Sequence, residues 1–159
     1  MASKVLITPE QYLATHFERE PEFVHGELVE KSLPKKKHAR TQLRLCMLLG
    51  SAGYGCTELR VKLAHDLYRI PDFVLYESEP EGELPDMPPL LIIEIASPDD
   101  RPRDVEQKLE EYRAWGVAHV WFVEPESKKL YIWSGGLVDV AQFELPRFHP
   151  AITPADLFS

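Results

Sequence analysis

Leu90-Leu91-Ile92-Ile93-Glu94-Ile95-Ala96 is an apolar run interrupted by one charge. Pro88-Pro89 closes it upstream and Ser97-Pro98 downstream. It therefore reads as a single strand, and its lack of alternation predicts cover on both faces. A lone carboxylate in such surroundings costs several kcal/mol unless it is protonated, paired or bound to a metal. A few residues earlier, Asp72 follows Pro71 and opens a second apolar segment, Phe73-Val74-Leu75-Tyr76. Acids on consecutive strands can meet on one side of a sheet, and such a pair is the beginning of a divalent-cation site. The competing reading is a buried ion pair of Glu94 with Lys108, Arg69 or Arg103.

Around these strands the chain alternates helices with sheet segments. Thr8-Pro9-Glu10-Gln11 predicts a helix start with a capping box, followed by an apolar stripe of Tyr12, Leu13 and Phe17 that ends by Pro21. Phe23 to Glu30 alternates about His25-Gly26, the pattern of a hairpin. A second helix is expected over 36–52, with Ala39, Leu43, Met47 and Gly50 on its apolar face. Strands follow over 56–63 and 67–76, then an acidic, proline-rich loop over 77–87. After the Glu94 strand, a third helix runs from about Asp104 through Trp115, with Gly116 at the C′ position. The strands His119-Val120-Trp121-Phe122-Val123 and Leu130-Tyr131-Ile132-Trp133 come next. A Gly135-Gly136 turn, a strand over 137–145 and a short helix opened by Thr153-Pro154 close the chain. The order predicts an α/β fold, a mixed sheet flanked by helices.

At 159 residues, with 44% hydrophobic and 28% charged residues, the chain is expected to form one domain over 1–159. No apolar run reaches the roughly 18 residues of a membrane span, and the polar N-terminus lacks a signal-peptide core. Cys46 and Cys56 have no metal-ligand spacing and no evident disulfide role. Cytoplasmic residence is the expectation. The net charge of −8 excludes a general nucleic-acid coat protein. Yet Lys31, Lys35, Lys36, Lys37, Arg40 and Arg44 form a basic stretch without an acid among them, so one face can be locally positive. Lys37 and Arg40 are the candidate substrate contacts there.

The third helix supplies the last element of the constellation. It must fold back over the strand that carries Glu94, and Asp104, Lys108 and Tyr112 share one of its faces. Two carboxylates and a lysine suit phosphate ester hydrolysis, since the carboxylates hold Mg²⁺ and the lysine orients water or meets developing phosphoryl charge.

Taken together, Arg69-Ile70-Pro71-Asp72-Phe73-Val74, Leu91-Ile92-Ile93-Glu94-Ile95-Ala96-Ser97-Pro98, Asp104, Lys108, Tyr112, Gly116-Val117 and Trp121-Phe122-Val123 form a recognisable set. On these residues the chain resembles a widespread bacterial family of putative restriction endonucleases within the PD-(D/E)xK nuclease superfamily. The resemblance extends to the hairpin His25-Gly26-Glu27-Leu28-Val29 and to His38, and covers nearly the whole chain. It implies a restriction-endonuclease-like fold and a Mg²⁺- or Mn²⁺-dependent endonuclease acting on DNA. Asp72 and Glu94 would be metal ligands with the backbone carbonyl of Ile95, Glu27 an auxiliary acid, and His38 a phosphate or water contact. Ala96 stands where the superfamily's plain ExK pattern has lysine, and the family resembled places that lysine on the following helix, which makes Lys108 the match. Cutting both strands implies a homodimer, with the late strands and Trp133 as its candidate interface. The alternative is a catalytically silent module of the same fold that binds DNA or a protein partner.

Overall fold

The computed structural model describes residues 4–159; Met1, Ala2 and Ser3, part of the segment read above as polar, lie outside them. Helix α1 (Pro9–Ala14) begins at the expected capping box, Thr8 and Gln11 exchanging both bonds. It stops at Ala14, well short of Pro21, and leaves Leu13 exposed while Tyr12 is buried. Strands β1 (Glu22–Val24) and β2 (Glu27–Val29) form the hairpin, turning through positive φ at His25 and Gly26. Helix α2 (Lys36–Leu49) follows, then β3 (Tyr54–Cys56), β4 (Val61–Ala64), β5 (Leu67–Arg69), β6 (Phe73–Tyr76) and β7 (Leu91–Ile95). Helix α3 (Pro102–Trp115) leads to β8 (His119–Glu124), β9 (Lys129–Trp133), β10 (Leu137–Val140), β11 (Phe143–Leu145), β12 (His149–Ile152) and α4 (Pro154–Phe158).

Six strands form the main sheet in the order β10-β9-β8-β7-β6-β3. Its one parallel pair is β7 with β8; every other pairing is antiparallel. A parallel pair needs a crossover, and α3 is that crossover. Its residues Leu109 and Tyr112 pack with Val74, Ile92, Val120 and Phe122. On the opposite face Leu45 and Leu49 of α2 pack with Phe73, Leu75, Leu91, Ile93, Ile95 and Trp121. Every residue of β7 is buried, as an unbroken apolar strand requires. Because side chains alternate along β7, Glu94 shares the face of Ile92 and looks toward α3. A smaller antiparallel sheet, β2-β1-β5-β4, lies beside the main one.

Three expectations are corrected by the fold. The segments 56–63 and 67–76 are not single strands. Each divides between the two sheets, β3 and β6 joining the large one and β4 and β5 the small one. Pro71 has no N–H to give a ladder, and the Ile70 N–H leaves the strand to bond the Glu22 carboxylate, so the chain changes sheets there. The segment 137–145 likewise breaks between β10 and β11. Helix α2 ends at Leu49 and turns a different side to the core: His38, Thr41, Leu45 and Leu49 are buried. Leu43 and Met47 are 50% and 66% exposed, and Ala39 is exposed too.

Candidate active site

Antiparallel pairing of β6 with β7 aligns Phe73 with Ile93, which sets Asp72 across from Glu94. Both acids are buried, 3% and 7% exposed. The fold thus brings together the two carboxylates that the sequence singles out, and gives them unlike environments.

Asp72 is surrounded by donors. Its Oδ2 accepts the Ile95 N–H at 2.7 Å, and its Oδ1 lies 3.2 Å from Lys31 Nζ and 3.4 Å from His38 Nε2. Burial alone would raise its pKa; the His38 contact, the Lys31 charge and the Ile95 amide outweigh burial and hold the carboxyl well below the usual range. Glu94 has one partner, the Tyr112 hydroxyl, which donates to Oε1 at 2.6 Å. Among the described residues no cation reaches Glu94 within ion-pair distance. Burial pushes its pKa up to about 8, with the Lys108 and Lys31 charges opposing that rise and the Asp72 charge adding to it. At neutral pH one acid is ionised and its neighbour holds a proton, a division of labour typical of paired catalytic carboxyls.

Lys108 faces the same cleft from α3, but its partner is an acid that the sequence reading passed over. Lys108 Nζ lies 2.9 Å from Glu22 Oε1. Glu22, 1% exposed, also takes the Ile70 N–H at 2.8 Å and the Arg69 guanidinium at 3.6 Å. Arg69 in turn meets Glu111 at 2.7 Å. Burial works against the Glu22 charge, and Lys108 and Arg69 overcome it, leaving its pKa lowered. Two of the three cations in the competing reading of Glu94, Lys108 and Arg69, therefore pair nearby with Glu22, whereas Arg103 meets neither acid among the described residues. The sequence does carry a signal: Pro21-Glu22-Phe23 repeats the Pro71-Asp72-Phe73 pattern of proline, acid and aromatic at a strand start.

The remaining candidates separate. His38 is buried at the head of α2 beside Asp72, its Nδ1 without a partner among the described residues. Ile95 lines the cleft. Glu27 lies on the cleft's outer wall, 40% exposed and paired with Lys4 at 3.0 Å. Lys37 points elsewhere, to Glu126 at 2.7 Å, and Arg40 is exposed; neither lines the cleft. Lys31 and Glu58 are among the residues that do, and they meet at 2.9 Å. Trp133 is half-buried and donates its indole N–H to Glu110 on α3.

The cleft has a volume of about 740 Å³ and its walls are rich in acids, with Asp99, Asp100 and Asp104 joining Glu22, Glu27, Glu58, Asp72 and Glu94. Lys4, Arg19, Lys31, Arg69, Arg101 and Lys108 line it too, so its charge is mixed, with acids in modest excess. Among the described residues no cluster of three His, Cys, Asp or Glu side chains could hold a metal unaided. The donor set nonetheless suits Mg²⁺, which commonly takes one or two carboxylates and completes its shell with water and substrate phosphate. Asp72, Glu94, whose Oε1 takes the Tyr112 hydroxyl, and the Ile95 carbonyl are the groups present.

The sequence profile of a family described as "Uma2: Putative restriction endonuclease" matches residues 9–155. Among solved structures, a putative nuclease belonging to DUF820 from Anabaena variabilis ATCC 29413 aligns with a TM-score of 0.80 at 21% identity, over 96% of this chain and 97% of that one. A search of curated proteins finds no match. No helix among the described residues is long and apolar enough to cross a membrane.

Proposed function

Because this chain belongs to the Uma2 family of putative restriction endonucleases, we propose that it hydrolyses DNA phosphodiester bonds with a divalent metal, Mg²⁺ or Mn²⁺, held by Asp72 and Glu94. The observation that carries the reading is Glu94: a buried carboxyl with no cation beside it, facing an ionised neighbour across a polar cleft. The ion would supply an acidified water and positive charge against the phosphate.

The protein's own groups do the rest. Asp72 is oriented by the Ile95 N–H, and the Ile95 carbonyl would be at hand as a further ligand. Glu94 would hold the ion in its ionised form, with the Tyr112 hydroxyl fixing the rotation of its carboxylate. Lys108 reaches the cleft from α3 on a short tether to Glu22, where its ammonium can orient the attacking water or meet charge developing on the phosphoryl oxygens. Glu22, rather than Glu27, is the auxiliary acid in this reading, because it is the acid that positions the lysine. His38 stands beside Asp72 as the phosphate or water contact. Lys37 and Arg40, outside the cleft, serve the flanking backbone. We take the chain as one nuclease domain that acts as a homodimer in the cytoplasm, where its two free thiols stay reduced.

Purified protein incubated with plasmid and single-stranded DNA in Mg²⁺ or Mn²⁺, beside Asp72→Ala, tests the reading. Cleavage by the wild type alone is expected. Equal cleavage by both proteins would identify a contaminant and remove the claim. The acidic net charge favours one other reading, a silent module of the same fold that binds DNA or a protein partner. Calorimetric titration that gives no Mg²⁺ or Mn²⁺ heat with wild-type protein would select it.

A further inference from the structure

One buried cation has no part in the chemistry above. Lys31 follows β2, and its side chain, 13% exposed, ends against three oxygens. Its Nζ lies 3.2 Å from Asp72 Oδ1 and 2.9 Å from Glu58 Oε2, and it also donates to the Ile70 carbonyl. Two carboxylate oxygens and one backbone carbonyl are the donors that a hard cation takes. Here an ammonium with three N–H groups takes them instead. Gln42 fastens the nest by donating to Glu58 Oε1 at 3.0 Å and to the Asp72 carbonyl at 2.9 Å. Lys31 is thus a second lysine at the acid pair, reaching Asp72 from the segment between β2 and α2 while Lys108 approaches from α3.

We propose that Lys31 is a built-in cation whose ammonium fills the place beside Asp72 that a second divalent ion would otherwise take, so that the site accepts one ion. The inference rests on the metal reading of Asp72 and Glu94. Phosphoryl hydrolysis can draw its positive charge from two ions sharing a carboxylate. In this chain one of those charges is covalently attached and cannot be lost by dilution. It places a positive charge against one oxygen of that ligand, which limits how many ions can follow.

Mn²⁺ titration of the whole protein, with free ion followed by electron paramagnetic resonance, reads the number of sites directly. Ions that remain bound to Asp72→Ala are subtracted as nonspecific. Wild-type protein is expected to bind one Mn²⁺ and Lys31→Met two. Adding Glu58→Gln to Lys31→Met should return the count to one. Should Lys31→Met fail to fold, Lys31→Gln, which keeps a donor for the Ile70 carbonyl, is read in its place. One ion per chain in both wild type and Lys31→Met overturns the inference and leaves the nuclease reading standing. Two ions in the wild type, or a second ion that survives Glu58→Gln, overturns it as well. No Asp72-dependent binding in any variant removes the metal reading, and this inference with it.

Discussion

Glu22 and Asp72 are built alike and end up in different trades. Each follows a proline, precedes a phenylalanine, starts a strand and accepts a backbone N–H from another element. Glu22 is then enclosed by Lys108 and Arg69, two cations for one anion. Asp72 shares its place with Lys31, His38 and a neighbour, Glu94, that has no cation of its own. Burial of an acid therefore does not mark a metal site. The mark we propose is a buried carboxyl with no cation within ion-pair distance among the described residues, and of these two stations Asp72–Glu94 has it.

The comparison breaks first, if it breaks, in catalysis. Asp72→Ala and Glu94→Gln are expected to lower the cleavage rate by roughly a hundredfold or more, the scale of losing one electrostatic anchor of the transition state. Lys108→Met should lower kcat on a similar scale while leaving Mn²⁺ affinity within about threefold, because it touches neither proposed ligand. A Lys108→Met protein that cleaves at the wild-type rate would reduce Lys108 to a partner of Glu22.

Stability separates the two stations in the opposite sense. Glu22→Ala leaves Lys108 and Arg69 facing one another without their common anion, and removing one partner of a buried pair costs about 3–5 kcal/mol. Glu94→Gln replaces a protonated carboxyl by an amide of the same shape, so in metal-free protein the change should stay within about 1 kcal/mol. Urea denaturation in the presence of a chelator measures both. A metal-free Glu94→Gln protein as unstable as Glu22→Ala would mean that Glu94 is a structural ion after all.

The pH dependence sharpens the same point. With its pKa raised from the ordinary 4.5 to about 8, Glu94 holds a proton in the folded chain that the unfolded chain has already released. Folding takes up that proton between these two values, so metal-free stability falls as pH rises through the window. Asp72, whose pKa is lowered, contributes its own change only below its ordinary 3.8, outside the window. Subtracting a Glu94→Gln melting series from the wild-type series isolates the slope. Saturating Mn²⁺ should flatten the wild-type series, because the metal binds the ionised form. Parallel series for the two proteins would refute the assignment.

Much of this was legible before any coordinates, and the failures have physical causes. The Glu94 strand announced itself through an apolar run with a single flaw, and α3 through Gly116, whose φ of 115° ends the helix as a C′ glycine does. Helix α2 misled because its core side carries His38 and Thr41 at the site end. An apolar-periodicity argument therefore chose Ala39, Leu43 and Met47, which face away from the core. Lys31 is legible only as part of the basic stretch, not as a neighbour of Asp72. It lies between β2 and α2, in no periodic element, and its contact with Asp72 spans 41 residues of sequence. Glu22 was readable through its resemblance to Asp72, but its neighbour Glu27, beside the hairpin glycine, drew the inference instead.

That substitution of one hairpin acid for another gives the smallest effect and the most exacting control. Glu27 and Glu22 sit on paired strands of one hairpin and both line the cleft. Glu27 is 40% exposed and its partner, Lys4, is 76% exposed, so the pair is screened by solvent and worth roughly 0–1 kcal/mol. Glu27→Gln should leave stability within about 0.5 kcal/mol and cleavage within about twofold of wild type, since a surface charge away from ligand and lysine changes little. Glu22→Gln, a change of the same chemistry on the adjacent strand, removes the anion that tethers Lys108 and should slow cleavage by about tenfold or more. If the two substitutions act equally, the lysine's position does not depend on Glu22, and Glu27 regains the auxiliary role that the family resemblance assigned to it.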